Sequence, residues 1–322
     1  MKAIIVPKYG PPEVVQLIDV EKPAPTADRV LVKILAASIN VSDLTFSGGL
    51  ARLFMGLTRP KNSRLGADIA GVVEAVGSAV TQIKPGDEVF GVCPGGLAEY
   101  GSARQDRLVL KPANISFEQA AAVPVAATTA LQGLRDFGHV RAKQKVLIYG
   151  ASGGVGMFCV PIAKSFDAEV TAVCSTGNLD QARTMGADHV IDYTQEDFTR
   201  QDHRYDLVLA VNGYHPIWAY RRVLTPQGVF VMVGASHDHI FPAIFQAMFL
   251  GPLYSRRAGQ KLGFMGIARM NQPDLLVLQA LLASGQVVPS IDRRYPLSQA
   301  VDALRYLSEG HARGKVIITP EH

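Results

Sequence analysis

The hydrophobic positions of the chain change period near residue 116, and that change divides it. Before it, apolar and polar residues alternate in short runs broken by glycine and proline. "VLVKILAASIN" (Val30–Asn40) alternates, and "GADIAGVVEAVG" (Gly66–Gly77) has glycines at both ends and in its middle. "IKPGDEVFGV" (Ile83–Val92) leads a Pro-Gly-Asp turn into a strand. This part predicts a bent antiparallel sheet or barrel. From Ser116 the period becomes helical, in an Ala-rich stretch that Ser116 can cap and Pro124 divides. Strands and helices then alternate. The strands are Lys145–Tyr149, Glu169–Cys174, His189–Tyr193, Tyr205–Val211 and Gly228–Val233. Helices over about Val155–Phe166, Leu179–Met185 and Ile217–Leu224 lie between them. That rhythm predicts a parallel sheet. A strand at Lys261–Ile267, a helix at Gln272–Ser284, a strand entering "IDRRYP", a helix at Ser298–Ser308 and a last strand "KVIITP" close the chain. The expected domains are 1–124 with 266–322, and 125–265. There is no internal repeat and no low-complexity linker.

Composition narrows the class. The chain has 322 residues, 48% hydrophobic and 19% charged, with a net charge of +4. Such a chain can bury two cores, which excludes a mainly disordered protein. Its cations are scattered, so a nucleic-acid partner is not expected. Cys93, Cys159 and Cys174 are far apart, and no targeting leader is evident at "MKAIIVPKYG". Reduced thiols and a cytoplasmic location are expected. The apolar segment Ile240–Tyr254 is shorter than the ~20 residues of a membrane span, and Pro242 and Pro252 bracket it. It reads as a core, lid or subunit-contact helix, not as a membrane insert.

Candidate chemistry begins at "LIYGASGGVGMF" (Leu147–Phe158). Residues Ala151, Ser152, Gly153, Gly154, Val155 and Gly156 fit A-x-G-x-x-G, a dinucleotide fingerprint with alanine at its first glycine. Gly153 lets backbone approach a pyrophosphate, Gly156 lets the helix pack on the strand, and the helix N-terminus offers free N–H groups. The context, after a strand and opening a helix, is the one the motif requires. About twenty residues on, an NAD site carries Asp or Glu at the end of the second strand. Here that position reads Ser175, Thr176, Gly177, Asn178, with no acid and no cation. NADPH is therefore expected, with the Ser175 hydroxyl and Tyr193 as phosphate partners. Asp180 is placed on the following helix.

The chain resembles the medium-chain dehydrogenase/reductase superfamily, in its zinc-free quinone oxidoreductase branch. The resemblance rests on "AASINVSD" (Ala36–Asp43), "GADIAGVVEAVG", "VTQIKPGDEVFG", "AAAVPVAATTALQGL", "VLIYGASGGVG", "GADHVIDY" and "GHARGKVIIT", in the right order over nearly the whole length. It implies an α/β fold: a Rossmann-type parallel sheet for the cofactor and a GroES-like, mainly β catalytic domain. The positions that hold catalytic zinc in zinc-dependent members are here Ser42, Ala67, Asp68 and Val125, and only Cys93 stands where those members carry four cysteines. Neither zinc is expected.

The resemblance implies hydride transfer from NADPH to a quinone or to the β-carbon of an α,β-unsaturated carbonyl, in a dry cleft. Alternatives are an NADPH-binding structural or sensor protein with negligible turnover, and a reductase of an enoyl thioester. Asn40 is implied beside nicotinamide and substrate, with a loop-capping amide as its other reading, and Asp43 anchors its loop. Thr45 and Phe46 stand where several relatives have a tyrosine, and Phe46–Ser63 reads as the rim of the cleft. Thr128 and Thr129 divide between cofactor and core, with Thr128 taken for the cofactor side and, with Asn40, as a catalytic candidate. Asn212 falls near the ribose, and the backbone of Val233, Gly234 and Ala235 at the nicotinamide amide. Phe264 and Met265 read equally as core or as flanks of the nicotinamide. His215, His237 and His239 read as solvated loop residues, with a catalytic role as the other reading, and Arg313 and Lys315 as surface charges, with cofactor phosphates as the other reading. A homodimer is expected.

Overall fold

The structure, a computed structural model, describes residues 1–47, 63–235 and 239–321, without the side chains of 45–47 and 256–258. Most of the rim segment, with His237 and Asp238, lies outside the described residues. The N-terminal strands are β1 (Lys2–Ile5), β2 (Gln16–Asp19), β3 (Arg29–Ile39), β4 (Asp68–Val76), β5 (Glu88–Val92), β6 (Tyr100–Arg104) and β7 (Leu108–Leu110). Ser116 caps α1 (Phe117–Ala121), and Gln119 closes a capping box with it. Pro124 opens α2 (Pro124–Gln132), a position where its missing N–H costs nothing. There follow β8 (Lys145–Tyr149), α3 (Gly156–Ser165), β9 (Glu169–Cys174), α4 (Leu179–Thr184), β10 (His189–Asp192), β11 (Tyr205–Ala210), α5 (Ile217–Val223) and β12 (Leu224–Met232). A helical run, α6 (Ile240–Phe245), a π turn at Gln246–Leu250 and α7 (Gly251–Ala258), leads to β13 (Lys261–Phe264). The chain ends in α8 (Gln272–Ala283), β14 (Ile291–Pro296), α9 (Ala300–Ser308) and β15 (Lys315–Thr319).

These elements form two compact units, Met1–Ala126 with Met270–His322, and Ala127–Arg269. The first unit holds a sheet in the order β14-β15-β3-β4-β5-β7, with β6 also on β3. Its pairings are antiparallel except β14 with β15. β3 pairs with β6 through residues 29–33, with β15 through 37–39, and with β4 along most of its length. That register sets Val316 opposite Ile39 and Asp68 opposite Ser38. Lys315 and Asp68 thus arrive together at the end of β3. The core below is aliphatic, with Val30, Val32, Ile34, Ile69 and Val89 fully buried.

The second unit is a parallel sheet in the order β10-β9-β8-β11-β12-β13. Strand order reverses between β8 and β11, and ligands of doubly wound folds sit at the strand ends there. β8 is buried on both faces through Val146, Leu147 and Ile148, as a central parallel strand requires. Two sequence expectations change. The strand at 261–267 stops at Phe264, because Gly266 turns the chain at φ +73°, although Met265 N–H still donates to the Met232 carbonyl at 3.1 Å. The apolar 240–254 segment is helical, but Phe241, Phe245, Met248, Phe249 and Leu253 are exposed, so it is not a core helix. Its prolines lie in the first turns of α6 and α7 rather than outside them. No helix among the described residues is long and apolar enough to cross a membrane.

Candidate active site

The glycine turn follows β8 directly. Gly150 turns at φ +85°, and a Cβ there would meet the Asn212 backbone at 2.6 Å. A Cβ on Gly156 would fall 2.0 Å from the Gly150 carbonyl, so this glycine is what lets α3 start tight against β8. Gly153 differs: its Cβ would find nothing nearer than 3.8 Å. The fold does not need a glycine at 153, yet the space beside it is open. An open backbone face at the start of a ten-residue helix fits a pyrophosphate. Ala151 is buried, while Ser152, Gly153, Gly154 and Val155 are part-exposed. Gly150, which the fingerprint starting at Ala151 omits, is the residue that bends the chain.

Where the ribose is expected, Ser175 follows β9 and its Oγ accepts from Asn178 Nδ2 at 3.0 Å. Asn178 Oδ1 is buried without a hydrogen-bond partner among the described residues. The expectation of no carboxylate here is corrected by the neighbouring strand. Parallel register sets Asp192 beside Cys174. Asp192 Oδ2 accepts from Thr176 Oγ1 at 2.5 Å, and Oδ1 accepts from the N–H and Oγ1 of Thr194 at 3.0 and 2.7 Å. These bonds, that of Thr176 first, hold the Asp192 carboxyl below its ordinary range. Tyr193 is half-exposed next to it and stands edge-on to Tyr149, 6.3 Å away. Asp180 lies on α4, paired with Arg183 at 2.7 Å.

Around the nicotinamide expectations the placements vary. Asn212 is exposed just past β11, and its N–H reaches the Tyr149 carbonyl at 3.3 Å. Val233 and Gly234 donate to the Ala210 carbonyl at 2.8 and 3.2 Å, and with Ala235 they are part-exposed. Phe264 is part-exposed and Met265 buried. Thr128 is completely buried, and its hydroxyl has no hydrogen-bond partner among the described residues. Thr129 is part-exposed. Of the pair, Thr129 is the more exposed.

Asn40 ends β3 inside a polar network of the first unit. Its Nδ2 donates to Asp68 Oδ2 at 2.9 Å, and its Oδ1 accepts from Lys315 Nζ at 2.6 Å. Asp43 caps the loop, accepting from the N–H of Asn40 at 2.8 Å and of Gly66 at 3.1 Å. Asp68, fully buried, also accepts from Ser38 Oγ at 3.0 Å and from the Val125 N–H at 2.9 Å. Lys315 is 3% exposed, which corrects its reading as a surface charge. It donates to the Ile39 carbonyl at 3.2 Å and lies 3.4 Å from Asp68 Oδ2. The ion pair is long, and the short bond of the ammonium is to Asn40. Burial lowers the Lys315 pKa and raises that of Asp43 to about 6. A side-chain amide has two N–H donors. One of Asn40's is spent on Asp68, and the other meets no acceptor among the described residues. Asn40 therefore closes its loop through the backbone and keeps one fixed donor.

A family model described as "Alcohol dehydrogenase GroES-like domain" matches residues 26–113, and one described as "Zinc-binding dehydrogenase" matches 185–318. The 2-methylene-furan-3-one reductase of Solanum lycopersicum is 36% identical, over 99% of this chain and 79% of its own. The chain belongs to the medium-chain dehydrogenase/reductase superfamily. Within that superfamily it is quinone oxidoreductase-like, and it is an oxidoreductase that uses a nicotinamide cofactor. The chloroplastic NADPH-dependent alkenal/one oxidoreductase of Arabidopsis thaliana is 33% identical over 99% of this chain and 80% of its own. The quinone oxidoreductase of Coxiella burnetii superposes with a TM-score of 0.85 at 29% identity, over 99% of each chain.

The superfamily's zinc positions have other uses here. Val125 offers its backbone N–H, Ala67 has no ligand atom, and Asp68 is taken up by four donors. Among the described residues no three His, Cys, Asp or Glu side chains group as metal ligands. The histidines divide. His239 is exposed and stacked on Tyr214 at 4.8 Å. His215, expected to be solvated, packs 5.1 to 5.8 Å from Phe198, Tyr149 and Tyr220, and burial lowers its pKa. A histidine kept neutral among aromatic rings serves packing.

Proposed function

We propose that this oxidoreductase transfers a hydride from NADPH to a quinone or to the β-carbon of an α,β-unsaturated carbonyl, without zinc. The observation that carries the reading is the remaining N–H of Asn40, fixed by a buried ammonium and a buried carboxylate. When bound, the nicotinamide supplies the hydride. The chain supplies the seat at 150–156 and a donor for the oxygen that gains negative charge. A preorganised donor of this kind accelerates acyl-transfer reactions by about 10²–10³-fold, and an enolate or quinol oxygen asks for the same help. Lys315 spends its hydrogens inside the protein, so the final proton comes from water. Names of relatives, "NADPH-dependent alkenal/one oxidoreductase" among them, support the substrate class and the nucleotide. The neutral residues at 175–178 support NADPH as well. A metal at the family's zinc position would have to displace Lys315 from Asp68, which supports zinc independence.

The exposed row Phe241, Phe245, Met248, Phe249 and Leu253 supports a homodimer, since apolar rows of this kind mark interaction surfaces. The test of the activity is oxidation of NADPH and NADH against a panel of small quinones, enones and an enoyl thioester, before and after dialysis against a chelator. Turnover with a quinone or enone that survives dialysis is expected. No oxidation with any acceptor, or a loss that zinc restores, would refute the proposal.

A further inference from the structure

Asp192 occupies a place that motif reading assigns to a different strand. In dinucleotide folds the acid that selects against a 2′-phosphate ends the second strand, here β9, whose following residues carry no acid. β10 runs parallel beside it, with Asp192 level with Cys174, the last residue of β9. The carboxylate is tied to the 175–178 turn by the Thr176 hydroxyl on one oxygen and is held by Thr194 on the other. The next charges along the chain, Asp180 and Arg183, neutralise each other in an ion pair. Residues 175–178 bring no cation. Thr176 spends its hydroxyl hydrogen on Asp192, so that hydroxyl has none left for a phosphate.

We infer that Asp192 is the specificity-determining residue at the ribose 2′ position, and that it limits the preference for NADPH over NADH. A carboxylate accepts from a ribose hydroxyl and repels a phosphate dianion. The neutral turn admits a 2′-phosphate, and Asp192 reduces its gain. The inference rests on the proposal that a nicotinamide dinucleotide sits on the 150–156 turn, and it deepens that proposal by naming the residue that sets nucleotide choice.

The test is equilibrium titration of NADPH and NADH by nucleotide fluorescence, on the full chain, with no acceptor present. Asp192→Asn is expected to tighten NADPH about tenfold relative to NADH, the order expected of one like charge facing a dianion near solvent. The difference should shrink at high salt, because exposed charges are screened. Thr176→Val is the control for turn geometry, since it breaks the 2.5 Å bond and keeps the charge. It should leave the ratio of affinities within twofold of wild type. An unmoved ratio in Asp192→Asn, or an equal rise in Thr176→Val, would overturn the inference while leaving the proposed function standing. Failure of both nucleotides to bind the wild-type chain would overturn the proposed function as well.

Discussion

Replacing Lys315 by methionine isolates the buried network around Asn40. The side chains are close in length, so packing changes little and the charge is lost. Lys315 is 3% exposed and Asp68 fully buried. Removing one partner of a buried ion pair costs about 3–5 kcal/mol. Two features place this pair at the lower end of that range. Its Nζ to Oδ2 distance is 3.4 Å, and Asp68 keeps Val125 N–H, Ser38 Oγ and Asn40 Nδ2. We expect a loss of about 3 kcal/mol at neutral pH, read from urea unfolding midpoints and slopes.

The loss should also depend on pH, through Asp43. Its folded pKa is raised from 3.8 to about 6, chiefly by burial, with Lys315 acting to lower it. A carboxyl with a raised folded pKa binds its proton more tightly when folded. Its contribution to stability therefore falls as pH rises from 3.8 through about 6. Without Lys315 the folded pKa rises further, and the fall continues toward neutral pH. The variant should thus lose more stability at about pH 7.5 than at about pH 5. Asn40 loses the donor that fixes its amide, so kcat should drop at least about tenfold with a smaller change in KM. Adding Asp68→Asn should recover part of the stability, because the stranded carboxylate is gone. A loss below about 1 kcal/mol that is flat with pH, or additive effects of the two substitutions, would refute the buried-pair argument.

The glycine turn separates a structural glycine from one proposed to face the pyrophosphate. Gly153→Ala meets only the Gly150 carbonyl, at an ordinary 3.8 Å, so melting should change little while NADPH affinity falls at least about tenfold by fluorescence titration. Gly156→Ala, with a Cβ 2.0 Å from a carbonyl, should lower the melting temperature and nucleotide affinity together; equal behaviour of the two variants would contradict the assignment. Phe245→Ser with Phe249→Ser, two rings 5.0 Å apart on the exposed row, should convert the proposed dimer to monomer in sedimentation velocity. An unchanged dimer would move the interface elsewhere.

What the sequence shows well is what adjacent residues decide. The strand-turn-helix at 145–165, the Ser116 cap and the βαβ rhythm each depend on neighbours within a few positions, so period and turn chemistry reveal them. The exposure of the 240–254 segment is less legible, because an apolar helix reads alike whether it faces a core or another chain. His215 looks like a loop residue, because the rings of Tyr149, Phe198 and Tyr220 reach it only in the folded unit.

The misread residues of the site share one physical cause. Lys315 bonds Asn40 across 275 residues, and its burial follows from β15 pairing with the last three residues of β3. A lysine opening the buried run "KVIIT" is the local trace of this, and it is weak beside the flanking Arg313 and Gly314, which read as surface. Asp192 reaches Thr176 across only 16 residues, yet the link is parallel register, which sets the ends of two strands level. Motif reading follows one strand into one turn and so looks for an acid on β9 alone. Charge at the end of a parallel sheet belongs to the row of strand ends, not to any single strand. Nucleotide choice in such folds should therefore be read from the residues closing β9 and β10 together. Here that pair reads neutral and acidic, which predicts a weaker NADPH preference than the neutral turn alone would suggest.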